Sequence, residues 1–291
     1  MLHTMYVSNG EEPQPPVRLV PPSVKASGLI VLEDTAYAAA TQGCGSADNA
    51  VWSVDLASKQ VANWRSSAKL SGSQGPAIAP DGTLYVSTDG GDLVALEPKT
   101  LRVKSTYSGG KPGFTSSPVI FEYKQRILLA AATSDGRIHL LDAAAMGGTG
   151  PQTPLDKTSP AASPATGALA SWQDSAGTRW VLAPAAAAVV AWKLVEHNGA
   201  PVLEQGWTRE IASPVNPAII NGVVFVASMG ARSAPAVLYA LDGGSGSPLW
   251  NSASAMGSFL EGGGGIAGGG SQVYVGTADG TLYAFGFPME H

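Results

Sequence analysis

QVYVGTADGTLYAF, Gln272 through Phe285, holds two apolar runs of strand length, Val273–Thr277 and Leu282–Phe285, on either side of Asp279-Gly280. An Asp-Gly between two such runs predicts a β-hairpin, with a type I′ turn that needs φ > 0 at both central residues. The same unit recurs. Thr83–Leu96 reads TLYVSTDGGDLVAL, Arg126–Leu141 reads RILLAAATSDGRIHLL, and a copy with a longer turn joins VVFVAS at Val223 to VLYALD at Asp242. The chain is a repeat protein, and the repeat sets its fold.

Placing the second run of every copy in register on the last residue of LYALD aligns Tyr6, Asp55, Glu97, Asp142, Lys193, Asp242 and Gly286. The spacing averages about 47 residues, within the range of roughly 40 to 50 expected of propeller blades. Each period also holds one apolar segment before the hairpin and one after it. In the second full copy these are Pro76–Ala79, Leu84–Ser87, Leu93–Leu96 and Val103–Tyr107. Four short antiparallel strands per unit make a blade. The expected fold is therefore all-β, a single β-propeller over 1–291 of about seven four-stranded antiparallel blades. Complete blades are expected at 28–67, 75–109, 116–158, 167–210 and 216–254, with a partial first blade at 1–22 and a closing one at 264–287.

The partial blade comes from a surplus. Residues 264–287 supply three strands, while the amino terminus offers another third-type strand, Leu2–Val7, and an outer one, Pro16–Val20. This predicts that the natural chain begins further upstream and that the missing part completes the first blade. Outer strands end on rings at Trp64, Tyr107, Trp207 and Trp250. These are expected to pack at blade junctions rather than face a cofactor.

Composition limits the function. The 291 residues carry 36 glycines, 21 prolines and only 13% charged side chains, which suits short strands and tight turns. A formal net charge of −5 with no Lys/Arg cluster argues against a nucleic-acid partner. No apolar run reaches the roughly 18 residues of a membrane span. Cys44 is the one cysteine, so no disulfide forms within the chain. His3, His139, His197 and His291 do not have metal-ligand spacing, and no HExxH, CxxC or Gly-x-Ser-x-Gly occurs. Hence no metal and no catalytic residue is assigned. Asp81, Asp89, Asp135 and Asp279 each precede a glycine, which predicts turns in which the carboxylate bonds local backbone. Asp55, Asp142 and Asp242 end third strands and are expected to cap the turn that follows. Glu261–Gly270, EGGGGIAGGG, lacks the ending of a phosphate loop and reads as a crowded inner strand. Loop insertions are expected at 42–49, 184–188 and 230–236, and 146–166 reads as a long irregular connection.

VYVGTADGTLYAFG at 273–286, VLYALDGGSGSPLW at 237–250 and VWSVDLASKQVANW at 51–64 resemble the pyrroloquinoline-quinone (PQQ) repeat. The resemblance covers nearly the whole chain. It implies a propeller of the quinoprotein dehydrogenase-like superfamily, exported to the periplasm or secreted. Some members are dehydrogenases that bind PQQ with Ca²⁺ in the central channel, often beside a vicinal disulfide, which a lone Cys44 cannot form. Others are scaffolds that bind partners through loops. The leading expectation is a non-catalytic binding or scaffold module with no cofactor. The alternative is a quinoprotein oxidoreductase domain holding PQQ and calcium. A protein or small-molecule ligand is expected on the loop face, where Cys44, Asp48, Asn49 and Arg232 are the candidate contacts.

Overall fold

The structure, a computed structural model, describes residues 1–41, 48–72, 75–146, 153–161, 164–165, 167–261 and 265–286. The described residues form six small antiparallel sheets, each a meander in which every strand pairs with its sequence neighbour. The first sheet holds β1 (Lys25–Leu32), β2 (Thr35–Thr41), β3 (Asn49–Asp55) and β4 (Val61–Ser66). The second holds β5 (Ala77–Ile78), β6 (Leu84–Ser87), β7 (Asp92–Leu96) and β8 (Val103–Ser108). In the third, β9 (Val119–Tyr123), β10 (Arg126–Ala132) and β11 (Ile138–Asp142) precede one turn of 3-10 helix at Ala143–Ala145, and β12 (Asp156–Lys157) follows. The fourth comprises β13 (Ala170–Gln173), β14 (Arg179–Pro184), β15 (Ala188–His197) and β16 (Ala200–Glu210). The fifth comprises β17 (Ala218–Ile220), β18 (Val223–Ser228), β19 (Val237–Asp242) and β20 (Pro248–Asn251). The sixth has three strands, β21 (Ile266–Gly269), β22 (Gln272–Gly276) and β23 (Leu282–Gly286).

These sheets belong to two compact units, one built on Met1–Phe114 and the other on Thr115–Ala145 and the chain from Thr153. Within each unit, consecutive sheets pack face to face. In the first, Tyr37, Ala39 and Val51 meet Leu84, Val86, Val94 and Leu96. In the second, Leu128 and Leu140 of the third sheet meet Val181 and Trp192 of the fourth. Leu182 and Val189 of the fourth meet Val224 and Leu241 of the fifth, and Leu238 of the fifth meets Val273 and Val275 of the sixth. A sheet covered on both faces has second strands that are apolar throughout rather than alternating. Alanine-rich β2 and the RILLAAA of β10 show this, with Ala36, Ala40 and Leu128–Ala131 fully buried.

The Asp-Gly hairpins differ from expectation in one physical detail. Thr277 N donates to Thr281 O (2.9 Å), Gly280 N donates to Thr277 O (3.0 Å), and of the turn residues only Gly280 has positive φ, 83°. That is a type I turn closed by a left-handed glycine bulge, one residue longer than a type I′ turn. The same five-residue pattern closes Thr88–Asp92 on Gly91 and Thr133–Arg137 on Gly136. It also closes two first-to-second-strand turns, Ala79–Thr83 on Gly82 and Asp174–Thr178 on Gly177. The type I′ pattern of two positive φ values occurs in other turns: Lys124-Gln125, Asn221-Gly222 and Gly270-Ser271 between first and second strands, and Asn198-Gly199 between β15 and β16.

Four further expectations are corrected. Leu2–Val7 and Pro16–Val20 form no strands; one bridge, Leu2 to Val17, joins them. The prolines at 13, 15, 16, 21 and 22 deprive this segment of the N–H donors that a ladder needs. Pro184–Ala188 is no insertion, because Ala185 N donates to Ala188 O (2.8 Å) across a two-residue turn. The glycine-rich strand is largely exposed rather than crowded, since β21 is the edge of its sheet. Among the described glycines of this stretch, a Cβ would collide only at Gly268, 2.3 Å from Ile220 Cδ1, whereas Gly265, Gly269 and Gly270 face open space. Finally, the four outer rings are not equally packed. Tyr107 and Trp207 are buried and Trp64 is half-buried, but Trp250 is 45% exposed. Its cover is Phe285, at 5.5 Å between ring centroids, on a sheet that has three strands among the described residues.

Candidate functional site

The carboxylates of the repeat are bonded into the backbone. Asp81 accepts from Thr83 N (3.0 Å) and Thr83 Oγ1 (2.8 Å). Asp135 accepts from Thr133 Oγ1 (2.6 Å) and Arg137 N (3.3 Å), and Asp279 from Thr277 Oγ1 (2.6 Å) and Thr281 N (3.2 Å). The Thr277 hydroxyl, then the Thr281 amide, hold the Asp279 carboxyl below the usual carboxylate range. At the ends of third strands, Asp55 accepts from Ser58 N (2.7 Å), Asp242 from Ser245 N (2.8 Å) and Asp142 from Ala144 N (2.9 Å). Asp142 also takes both Nε and Nη2 of Arg126. Asp89 is the exception: its carboxylate accepts from Lys69 N (3.0 Å), twenty residues away, and so ties a connector to the turn.

Of the four candidate contacts, Cys44 lies outside the described residues. Asp48 is exposed and pairs with Arg65 at 3.1 Å, and Asn49 begins β3 opposite Ser66. Both belong to the first unit. Arg232 belongs to the second, on the loop between β18 and β19, which Ala231 and Ala234 pinch closed by two backbone bonds of 2.7 and 3.0 Å. Arg232 is exposed and has no ion-pair partner among the described residues.

Beside Arg232 lies a cleft of about 350 Å³, walled by Pro235, Ser258, Phe259, Glu261 and Asp279. Its floor is the connector from β20 to β21, pinned on several sides. Ala236 N donates to Ser258 O (3.0 Å), Leu260 N to Met229 O (2.8 Å), Ala278 N to Phe259 O (2.9 Å), and Gly257 N to Tyr283 Oη (2.9 Å). A backbone fixed at four points holds the wall groups without further ordering cost, which favours binding. The cleft offers one guanidinium, two carboxylates, a hydroxyl and an aromatic ring. Sequence reasoning found Arg232 through its loop but missed Ser258, Phe259 and Glu261. Their signal was weak: they sit on a connector that reaches the same end of its sheet as the 230–236 loop.

His139 is buried on β11, 4% exposed, between strands that place it opposite Ala131 and Lys157. Burial, reinforced by the Lys157 charge, pushes its imidazole down to about 4, so it is neutral at physiological pH. Among the described residues no three His, Cys, Asp or Glu side chains group to hold a metal ion. Among the described residues no helix is long and apolar enough to cross a membrane.

No protein-family model matches the chain, and no curated protein matches it. Solved structures do: 863 chains match, so the architecture is widespread and by itself selects no activity. One is the crystal structure of the computationally designed Ika8 protein, with a TM-score of 0.67 and 15% identity over 98% of this chain and 77% of that one. At that identity the likeness is one of fold alone.

Proposed function

We propose that this chain is a non-catalytic binding or scaffold module, a β-propeller of the PQQ-repeat kind exported to the periplasm or secreted, whose ligand seats in the cleft beside Arg232. The observation that carries this reading is the contrast between acids and arginine. The carboxylates of the repeat are bonded into turns, while Arg232 faces a preformed cleft without an ion-pair partner among the described residues. Carboxylates held by local amides are poor bases, and a cation such as Ca²⁺ needs several oxygens converging from different strands. A cleft with a guanidinium on one wall and carboxylates on others suits a ligand with charges of both signs, such as a polypeptide segment. The count of about seven blades belongs to the same reading and rests on the seven copies that align in the sequence; six hydrogen-bonded sheets are described, and Leu2 and Val17 contribute a single bridge outside them.

Two titrations test it. The purified chain is titrated with PQQ and Ca²⁺, and dye reduction is assayed with alcohols and aldoses. The expected result is no stoichiometric quinone binding and no turnover; both together would instead make the chain a quinoprotein oxidoreductase. In parallel, a library of short peptides is screened by amide chemical-shift changes. The reading expects shifts clustered on Arg232, Ser258 and Glu261, lost in Arg232→Ala, and is overturned if Arg232→Ala binds as the parent does.

A further inference from the structure

A second cleft, of about 240 Å³, lies within the first unit, lined by β2, β3, β4 and the turn that joins β7 to β8. Strand pairing sets its frame. Residues directly opposite each other in an antiparallel pair share a face, as do residues two apart on one strand. Thr35 lies opposite Asp55 and Tyr37 opposite Ser53, so these four side chains share one face of the first sheet. On that face Lys99 N donates to Tyr37 Oη (3.1 Å) and Ser53 Oγ donates to Lys99 O (2.7 Å), which fixes Lys99 at a φ of +61°. Thr35 and Asp55 come next along the strands, and both line the cleft.

Two features point to a ligand. Thr35 is 1% exposed, yet its hydroxyl has no hydrogen-bond partner among the described residues. Buried hydroxyls are seldom left so, because nothing replaces their lost hydration. The corresponding threonine of the second sheet, Thr83, is equally buried, but it donates to Asp81 Oδ2 (2.8 Å) and accepts from Lys104 Nζ (3.0 Å). The second feature is a pair of opposite charges that do not meet. Asp55 Oδ1 accepts from Ser58 N (2.7 Å), Ser58 Oγ (2.9 Å) and Ala57 N (3.1 Å), which leaves Oδ2 open. The Ser58 amide, then its hydroxyl, hold this carboxyl below the usual carboxylate range, and the Lys99 charge adds to the effect. Lys99 Nζ nevertheless makes no hydrogen bond or ion pair among the described residues. A ligand of one charge would leave the opposite site unanswered, and a neutral polyol would leave both. The cleft has room for roughly ten non-hydrogen atoms, and Val61 and Ala62 give it an apolar flank.

We infer that this cleft binds a free amino acid, whose ammonium group donates to Asp55 Oδ2 and the Thr35 hydroxyl while its carboxylate accepts from Lys99. The ligand's side chain lies along Val61 and Ala62. The site shares no residue with the cleft beside Arg232 and stands without it.

The isotope-labelled full chain is titrated with each proteinogenic L-amino acid, and with acetate, methylammonium and glycerol as probes of one charge or none, while amide chemical shifts are followed. At least one amino acid should give saturable shifts at Ser58, Lys99 and Thr100, and the three simpler probes should not. Lys99→Gln should weaken that binding by at least about tenfold, and Thr35→Val by about three- to tenfold. The turn is held through the Lys99 backbone, so Lys99→Gln keeps it, which circular dichroism verifies. Thr35→Val has a second readout: its thermal midpoint should equal or exceed the parent's, because a methyl group replaces a hydroxyl without a partner. A threonine with a purely structural role would lower it. Arg232→Ala should bind as the parent does. The inference is overturned if no amino acid gives saturable shifts, if acetate or glycerol gives the same response, or if Lys99→Gln binds unchanged. A Thr35→Val midpoint below the parent's overturns it as well.

Discussion

Trp207 and Trp250 occupy the same place in the repeat, yet their replacement by Ala should separate them by about 2–4 kcal/mol. Trp207 is 8% exposed, its Nε1 donates to Gly243 O at 2.9 Å, and the backbone of Gly246 lies on its ring so closely that a Cβ there would stand 2.5 Å from Cε3. Truncation removes the packing and the hydrogen bond together, for a loss of about 4–5 kcal/mol. Trp250 is 45% exposed and meets Phe285 in a tilted pair. Its loss costs the aromatic contact and part of its area, about 1–2 kcal/mol. Both residues belong to the second unit, so stepwise unfolding of the chain affects the two variants alike. Urea unfolding followed by far-ultraviolet circular dichroism is the assay. With a slope of about 2–3 kcal/mol per molar, the two midpoints should differ by roughly 1 M. Equal losses, or a larger one for Trp250→Ala, would refute the account of why only one ring is structural.

Other outcomes follow from single residues. His139 titrates near 4 in the folded chain, against about 6.5 when unfolded, so the unfolded state takes up the proton first. Stability is then full above pH ~6.5 and falls by up to about 3 kcal/mol as pH drops towards 4, with Lys157 and Arg137 opposing and Asp135 favouring the proton. In His139→Phe the slope of urea midpoint against pH in this window should be shallower; an unchanged slope counts against the assignment. Gly91→Ala places a Cβ 2.0 Å from Gly110 O at φ +96°, and should cost roughly 3–5 kcal/mol. Gly280→Ala, at φ +83° in open space, should cost about 1–2 kcal/mol, and thermal midpoints that fall equally would remove the steric argument. Arg126→Ala, which leaves a mostly buried Asp142 without its guanidinium, should cost about 1–2 kcal/mol less in an Asp142→Asn background, as a double-mutant cycle reads.

The hairpins were legible in the sequence because alternation and Asp-Gly both mark them, and VYVGTADGTLYAF does pair as β22 with β23. The turn type was not, since Asp-Gly suits both a two-residue loop and a three-residue loop with a bulge. One residue of strand length separates them, and that lies below what composition resolves. Leu2–Val7 is apolar enough for a strand, but a ladder needs a partner with amides, and the proline-rich segment opposite has few. Burial of Trp250 was illegible for a related reason: the ring's position is local, while its cover depends on a neighbouring sheet. Arg232 stood out because a longer turn is visible in the chain. Phe259 and Glu261 did not, because three backbone bonds between separated segments and one from Gly257 N to the Tyr283 hydroxyl bring them to Arg232.

The two kinds of glycine turn also set how the protein ages. Succinimide formation at Asp-Gly or Asn-Gly requires the glycine nitrogen to attack the preceding side-chain carbonyl. In the bulged turns that nitrogen donates to a carbonyl, as Gly136 N does to Thr133 O (3.0 Å) and Gly280 N to Thr277 O (3.0 Å), while the Asp carboxylate is held by the residue beyond. Nucleophile and electrophile are kept apart. Asn198 and Asn221, exposed at the tips of the β15–β16 and β17–β18 hairpins, have no such restraint on their amides among the described residues. Deamidation during storage should therefore begin at Asn198-Gly199 and Asn221-Gly222, which peptide mapping by mass spectrometry reads as conversion of Asn to Asp. First conversion at Asp135-Gly136 or Asp279-Gly280 would show that those turns open more often than their bonds imply.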